Sequence, residues 1–217
     1  MTISATTQGL RPGVTTSSNR PATPFEGQMI YETDTDLTYI YGGSAWQQVS
    51  GGTAVGNSGL VYITSATVGT GVTSVTVSNC FSATYDNYQI RLSGGTQSAD
   101  DAISLKLGSS VTGYNGVLVY AGLGAPSPLV ATQTNAAICN WVGGGSAGQQ
   151  SFVSVDLFDP FKSAYTKIRN GGYQNGLNYG TMQAEHRVAT SYDVFTLSIG
   201  TGTLTGGTVT VYGYRKA

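Results

Sequence analysis

Short runs of alternating apolar residues recur along most of this chain and restrict it to β structure. The clearest runs are AISLKLG from residue 102, VFTLSIG from residue 194 and TVTVYGYR from residue 208. Successive side chains of a strand point to opposite faces of a sheet, so each run builds one apolar face. Clusters of glycine, proline and asparagine separate the runs. The chain is therefore predicted to be all-β, with a jelly-roll-like antiparallel β-sandwich over residues 60–217.

Three further segments precede the predicted sandwich. Residues 1–19 are polar and non-periodic, which predicts an extended arm without a core of its own. Residues 20–50 contain the strand-like runs QMIYET, LTYIYG and GGSAWQQV, which predict a small β-hairpin or meander. Residues 51–59 are rich in glycine and predict a linker. Three strands with one apolar face are marginally stable alone, so we expect residues 20–50 to act as an assembly module.

The low charge of the chain excludes several kinds of partner. Charged residues make up 10% of the sequence, against about 25% in ordinary domains, and the net charge is −1. Nucleic acid binding relies on clustered cations, and the ten lysines and arginines are scattered. No apolar run approaches the roughly 20 residues that cross a bilayer, and no secretory signal opens the sequence. We therefore expect no nucleic acid and no membrane as partner, and synthesis in a cytoplasm.

Residues that could carry chemistry are few. His186 stands between Glu185 and Arg187, but strand alternation would point its side chain away from both neighbours. Cys80 and Cys139 are the two cysteines, and each sits beside apolar residues that predict a buried free thiol. No nucleophile elbow of the form GxSxG is present. We therefore predict no catalytic residue, no metal site and no cofactor, and the chain is not expected to be an enzyme.

The acidic residues fit two kinds of site in part. Glu32, Asp34 and Asp36 alternate as calcium ligands could, but the glycine and distal glutamate of a calcium-binding helical hand are missing. Two closely spaced pairs of aspartates could serve as glycosidase carboxylates, which stand roughly 5–9.5 Å apart. These pairs are Asp100 with Asp101, and Asp156 with Asp159. Solvated turns are the favoured interpretation of all these acids.

One stretch combines planar groups, amides and flexible glycines. It is IRNGGYQNGLNYG, residues 168–180. Tyrosine packs on the flat faces of sugars and also forms hydrogen bonds. The stretch is thus a candidate ligand or receptor loop, with interface or structural cover as the alternative role of its tyrosines. Its candidate residues are Arg169, Asn170, Tyr173, Gln174, Asn175, Asn178 and Tyr179.

The stretch RPATPFEGQMIYETDTDLTYIYGGSAW, residues 20–46, resembles a module of tailed-bacteriophage appendage proteins, tail fibres among them. The shared pattern is Arg-Pro-x-x-Pro-x-Glu-Gly-Gln-x-Ile-Tyr-Glu-Thr-Asp-Thr, followed by a strand and Gly-x-x-Trp. The chain ending, YDVFTLSIGTGTLTGGTVTVYGYRKA, is similar to the sandwich that follows this module in some phage proteins. The residues assigned to the assembly module on this resemblance are Arg20, Pro21, Pro24, Glu26, Gly27, Gln28, Ile30, Tyr31 and Trp46.

The resemblance implies a non-enzymatic virion structural protein. It would be a homotrimeric tail fibre or related appendage, located in the virion and made in the host bacterial cytoplasm. Its N-terminal arm would bind other virion proteins, and its β-sandwich would face outward to contact the host, with host-surface glycan as a possible partner. A capsid decoration or head-fibre protein of the same build is the alternative. A carbohydrate-binding module or a depolymerase is the second, although no long β-helix repeat is present.

Overall fold

The computed structural model describes residues 12–50, 59–125 and 127–216. The chain divides between residues 57 and 58 into two compact units, which are described separately. Strands dominate both units, and the one helical element among the described residues is a three-residue 3-10 turn, Ser17–Asn19. The prediction of an all-β chain is thereby confirmed. The predicted linker, except for residue 59, lies outside the described residues.

The first unit is a four-stranded sheet in the order β1-β2-β3-β4. Its strands are β1 (Gly13–Thr15), β2 (Met29–Glu32), β3 (Leu37–Tyr41) and β4 (Trp46–Ser50). The strands β2, β3 and β4 form an antiparallel meander, as predicted. Asp36, with φ of 55°, ends the turn between β2 and β3. Among residues 12–49, Ile30 and Glu32 alone are buried.

The predicted arm is extended at residues 13–15, but its own chain orders it there, and no partner is needed. Gly13–Thr15 forms a parallel strand against β2, and the Thr33 backbone N–H donates to the Thr15 carbonyl at 2.9 Å. The Asp34 carboxylate also accepts hydrogen bonds from the Ser17 backbone N–H at 2.9 Å and the Ser17 hydroxyl at 2.5 Å. The polar residues of this segment are therefore ordered by the β2–β3 turn of their own chain. Residues 1–11 of the predicted arm lie outside the described residues.

The second unit contains fourteen strands within its described residues, in a sandwich-like arrangement. The strands are β5 (Leu60–Thr67), β6 (Ser74–Val77), β7 (Asn87–Gln97), β8 (Asp101–Leu107), β9 (Tyr114–Gly122), β10 (Leu129–Ala136), β11 (Cys139–Gly145), β12 (Gln150–Phe158), β13 (Thr166–Asn170), β14 (Tyr173–Asn175), β15 (Asn178–His186), β16 (Phe195–Ile199), β17 (Leu204–Thr205) and β18 (Thr208–Tyr214).

Two series of paired strands build the sandwich. One runs β10-β9-β15-β13-β12-β7-β18-β5 and the other runs β6-β16-β8-β11, each through antiparallel pairs. Pairing of β11 with β12 and of β11 with β14 joins the two series into one hydrogen-bonded sheet. Extra residues at β-bulges bend a strand locally, and the β7–β12 pair has such an irregularity beside Ser151.

The core follows directly from the alternation in the sequence. In β8, Ile103, Leu105 and Leu107 are fully buried, while the side chains between them are partly exposed. Leu105 pairs with Leu197 of β16, and both belong to a cluster that includes buried residues of β7, β12 and β18. Cys80 and Cys139 are free and buried, as predicted. Burial raises the pKa of each thiol to about 12, so both remain protonated at neutral pH.

Candidate functional site

The stretch predicted to be a ligand loop is a set of strands. Residues 166–170 form β13, 173–175 form β14 and 178–186 form β15, joined by tight connections. β14 pairs with β15 through Gln174 and Tyr179. The prediction of a flexible glycine frame is therefore wrong, because both β13 and β14 are held along the same edge of β15.

Two of the predicted ligand residues are buried and have structural roles. The Asn170 side-chain amide donates to the Trp141 carbonyl at 2.6 Å and accepts from the Met182 backbone N–H at 2.6 Å. Tyr173 is 7% exposed, and its ring meets that of Tyr120 edge-on at 6.0 Å. Neither side chain is accessible to a large ligand, so neither belongs to the candidate site.

Arg169 lies on the outward face of β13, where it pairs with Asp156 of β12. Its Nη2 is 2.8 Å from Asp156 Oδ2, and the Tyr214 hydroxyl donates to Asp156 Oδ1 at 2.8 Å. Burial alone would raise the pKa of the Asp156 carboxyl, but hydrogen bonds from Arg169, Tyr214 and Gln89 outweigh it and lower that pKa. Asp156 is thus an ionised partner within a cross-strand network.

Gln174 and Tyr179 are brought together at the wall of an open groove of about 550 Å³. The Gln174 Nε2 donates to the Ser146 hydroxyl at 3.0 Å and lies 3.3 Å from the Tyr179 hydroxyl. Tyr179 is 46% exposed. The groove is lined by Leu92, Ser93, Gly94, Ser146, Gln149, Gln150, Ser151, Phe152, Gln174 and Tyr179.

Asn175 and Asn178 shape the connection that carries Tyr179. Asn178 Nδ2 donates to the Asn175 carbonyl at 3.2 Å, which closes the turn between β14 and β15. Gly176, at the turn, donates its backbone N–H to the Gly145 carbonyl at 3.2 Å. These two asparagines of the predicted set therefore position the groove wall and do not line the groove.

A second groove, of about 570 Å³, lies toward the other end of β15 and has a charged lining. Glu185 forms ion pairs there with Lys167 and Arg187. Hydrogen bonds from Lys167 and then Arg187 hold the pKa of the Glu185 carboxyl below its usual range. These charges satisfy one another, which leaves this groove without an unpaired acid.

The other walls of the uncharged groove come from residues outside the predicted loop. Ser93 and Gly94 lie in β7 beside the irregularity, and Gln149 and Gln150 lead into β12. The pair Gly94–Gly95 inside a strand was an available signal, because interior glycines mark bulges. The two glutamines carried no signal in the sequence.

The residues of the assembly module lie within the first unit, around the β2–β3–β4 meander. The Arg20 guanidinium is the central group, with Nε 2.5 Å from Glu32 Oε1 and Cζ 4.4 Å from the Tyr39 ring centre. Gly27 has φ of 82° and donates its N–H to the Tyr41 carbonyl at 2.8 Å, just before β2. Ile30 is buried, Glu26 and Gly27 are exposed, and intermediate exposure is found for Pro21, Pro24, Gln28, Tyr31 and Trp46.

The single histidine is inside the second unit. His186 is fully buried, and its Nε2 lies 2.8 Å from the Ser110 hydroxyl and 3.1 Å from the Thr112 carbonyl. Glu185 and Arg187 lie on the opposite, outward side of the strand, in agreement with the alternation. Burial lowers the pKa of His186, so its ring is neutral at pH 7.

The predicted acid pairs are engaged with neighbours. Asp100 accepts the Ala147 backbone N–H at 2.7 Å, and Asp101 accepts the Thr201 backbone N–H at 2.6 Å. Within residues 12–50, 59–125 and 127–216, no cluster of three His, Cys, Asp or Glu side chains is arranged to hold a metal ion. Nor does any helix in these ranges have the length and apolarity to span a membrane.

Comparison with known proteins gives no relative from which to transfer a role. No family model, no curated protein and no solved structure matches this chain.

Proposed function

We propose that the chain is a non-enzymatic structural protein of a tailed-bacteriophage particle, a homotrimeric tail fibre or related appendage. The observation that carries this proposal is the small core of the first unit, whose sequence resembles the appendage module. Two side chains, Ile30 and Glu32, are buried among residues 12–49. A small sheet with so few buried side chains is only marginally stable in water. It gains stability by packing against another surface.

The first unit also exposes apolar side chains that a partner would cover. They are Val14, Phe25, Met29 and Val49, each with about half or more of its surface exposed. Burying apolar area contributes roughly 25 cal/mol per Å², so contact between copies would stabilise this unit. In a ring of three copies, one surface of each copy would contact a different surface of the next copy.

In this proposal the second unit is the outward domain and the first unit is the particle anchor. Antibody labelling of intact particles tests this proposal. The particles are those released by the host that encodes the chain. Gold label on the tail or its fibres supports the appendage role. Label on the head shell supports the alternative of a decoration or head-fibre protein. Particles free of the chain would contradict both roles.

A carbohydrate-binding role is the second candidate, and a specific observation favours it. The groove at Tyr179 combines an exposed aromatic ring with serine hydroxyls and glutamine amides. Such a lining matches the mixed apolar and polar faces of a sugar. Both roles are compatible in one protein, since an appendage that contacts the host surface needs a recognition site.

A further inference from the structure

We infer that the uncharged groove at Tyr179 binds a neutral carbohydrate of hexose units. This inference rests on the proposed attachment function and adds the ligand class and the residues that contact it. The groove has about 550 Å³ of space, within the range of about 300–1,000 Å³ that small-molecule sites occupy.

The groove owes its shape to a break in strand pairing. β7 and β12 change register between Ser151 and Val153, opposite the residues around Gly94. Gly94 has φ of 79°, a backbone conformation that favours glycine and that turns the chain away from regular pairing. Gln174 of β14 and Tyr179 of β15 supply another wall. The recess is therefore built from hydrogen-bonded strands, which keep it open without a ligand.

The lining selects against charged ligands. None of the ten residues that line this groove is an acid, a lysine, an arginine or a histidine. A carboxylated or sulfated sugar placed there would lose water from its charge and find no cation in return. A neutral sugar loses only hydroxyl hydration, which serine and glutamine groups replace.

Free hydrogen-bonding groups face the groove. The side chains of Ser93, Gln149 and Gln150 make no hydrogen bond to the described part of the chain, and the Gln174 Oε1 accepts none there. Each amide offers both a donor and an acceptor. Neighbouring sugar hydroxyls also both donate and accept, so one amide can engage two adjacent hydroxyl groups.

The Tyr179 ring provides the apolar surface. Its hydroxyl is within 3.3 Å of the Gln174 amide, which fixes the direction of the ring, while 46% of the residue remains exposed. The C–H face of a pyranose covers such a ring and displaces water from it. Phe152 adds a second aromatic side chain to the lining.

Titration of the full-length protein with neutral and acidic oligosaccharides tests the inference. The neutral probes are hexaoses of glucose (α- and β-linked), mannose and galactose, and the acidic probe is hexagalacturonate. Calorimetry is expected to detect binding of at least one neutral probe and no binding of hexagalacturonate. Y179A and Q150A should each weaken binding about tenfold, which corresponds to the loss of roughly 1.4 kcal/mol. A control variant guards against a loss of binding caused by misfolding.

The matched control is Y165A, which removes a tyrosine of similar exposure outside the groove. It should leave the dissociation constant unchanged. Binding of hexagalacturonate alone, binding of no probe, or equal affinity in Y179A, Q150A and the parent would each overturn the inference. None of these results affects the outcome of particle labelling. The carbohydrate site can therefore be disproved while the appendage role stands.

Discussion

Arg20 and Glu32 form an ion pair in which the carboxylate is completely covered. Arg20 Nε lies 2.5 Å from Glu32 Oε1, and the Thr35 hydroxyl donates to Glu32 Oε2 at 2.9 Å. The other side of the guanidinium faces the Tyr39 ring at 4.4 Å. The hydrogen bond from Arg20 is the main cause that lowers the pKa of Glu32. One cation therefore links the segment before β2 to both β2 and β3.

Removing that cation should loosen the first unit. R20A leaves a covered carboxylate with one remaining donor, which is destabilising because an unpaired charge loses its hydration without compensation. Hydrogen exchange is expected to accelerate at the backbone amides of β2 and β3 and to remain unchanged in β8. R20K restores charge but not the planar contact with Tyr39, so its exchange rates should be intermediate. Unchanged exchange in R20A would show that the pair does not organise this sheet.

The core of the second unit makes a clear prediction for stability. Leu105 is fully buried between β11 and β16, so L105A should lower the free energy of unfolding by about 2–5 kcal/mol. Val111 is 67% exposed, so V111A should change the free energy of unfolding by less than about 0.5 kcal/mol. Urea unfolding followed by tryptophan fluorescence measures both. Equal effects of the two substitutions would contradict the placement of Leu105.

A close backbone approach between β11 and β14 gives a third prediction. A Cβ on Gly144, where φ is 150°, would lie 2.0 Å from the Gln174 carbonyl oxygen. G144A should therefore force β14 away from β11 and cost more than about 2 kcal/mol of stability. Gly148 also has a positive φ, but no atom lies within 4 Å of its Cβ position. G148A should cost only the conformational strain, about 1–2 kcal/mol. Thermal unfolding of the two variants provides the comparison.

His186 should give the protein a pH dependence above the range of its carboxylates. Its folded pKa is lowered by burial, so the unfolded state binds more protons as pH falls below about 6.5, the unperturbed value. The contribution of His186 to stability is complete above that pH and decreases as the pH falls toward the folded pKa. Urea midpoints at pH 7.5 and 5.5 should differ in the parent and differ less in H186Q. The pKa values of Glu185 and Asp156 are also lowered, and their contributions fall away only below about pH 4.5.

Alternation predicted the sandwich because its strands are long and half-buried. It could not predict β1, since Gly13–Thr15 is too short for a period and is ordered by distant contacts. The Ser17 donors reach Asp34 across 17 positions of sequence, which no local pattern encodes. Tertiary contact of this kind overrides a polar, loop-like composition.

Part of the site was within reach of the sequence. Continuing the alternation from Ile168 puts Asn170 inward and Arg169 outward, as the structure has them. Gly171 and Gly172 favour a loop over these residues, and a loop has no such alternation. The groove itself depends on a register change and on residues from four strands or their connections, so only the folded chain brings its walls together.

The central claim is that copies of this chain assemble through their first units. Light scattering of the purified full-length protein during size exclusion tests it most directly. We expect a particle of three times the 22.5 kDa chain mass. A species that stays at 22.5 kDa up to high concentration would contradict the assembly role of residues 20–50.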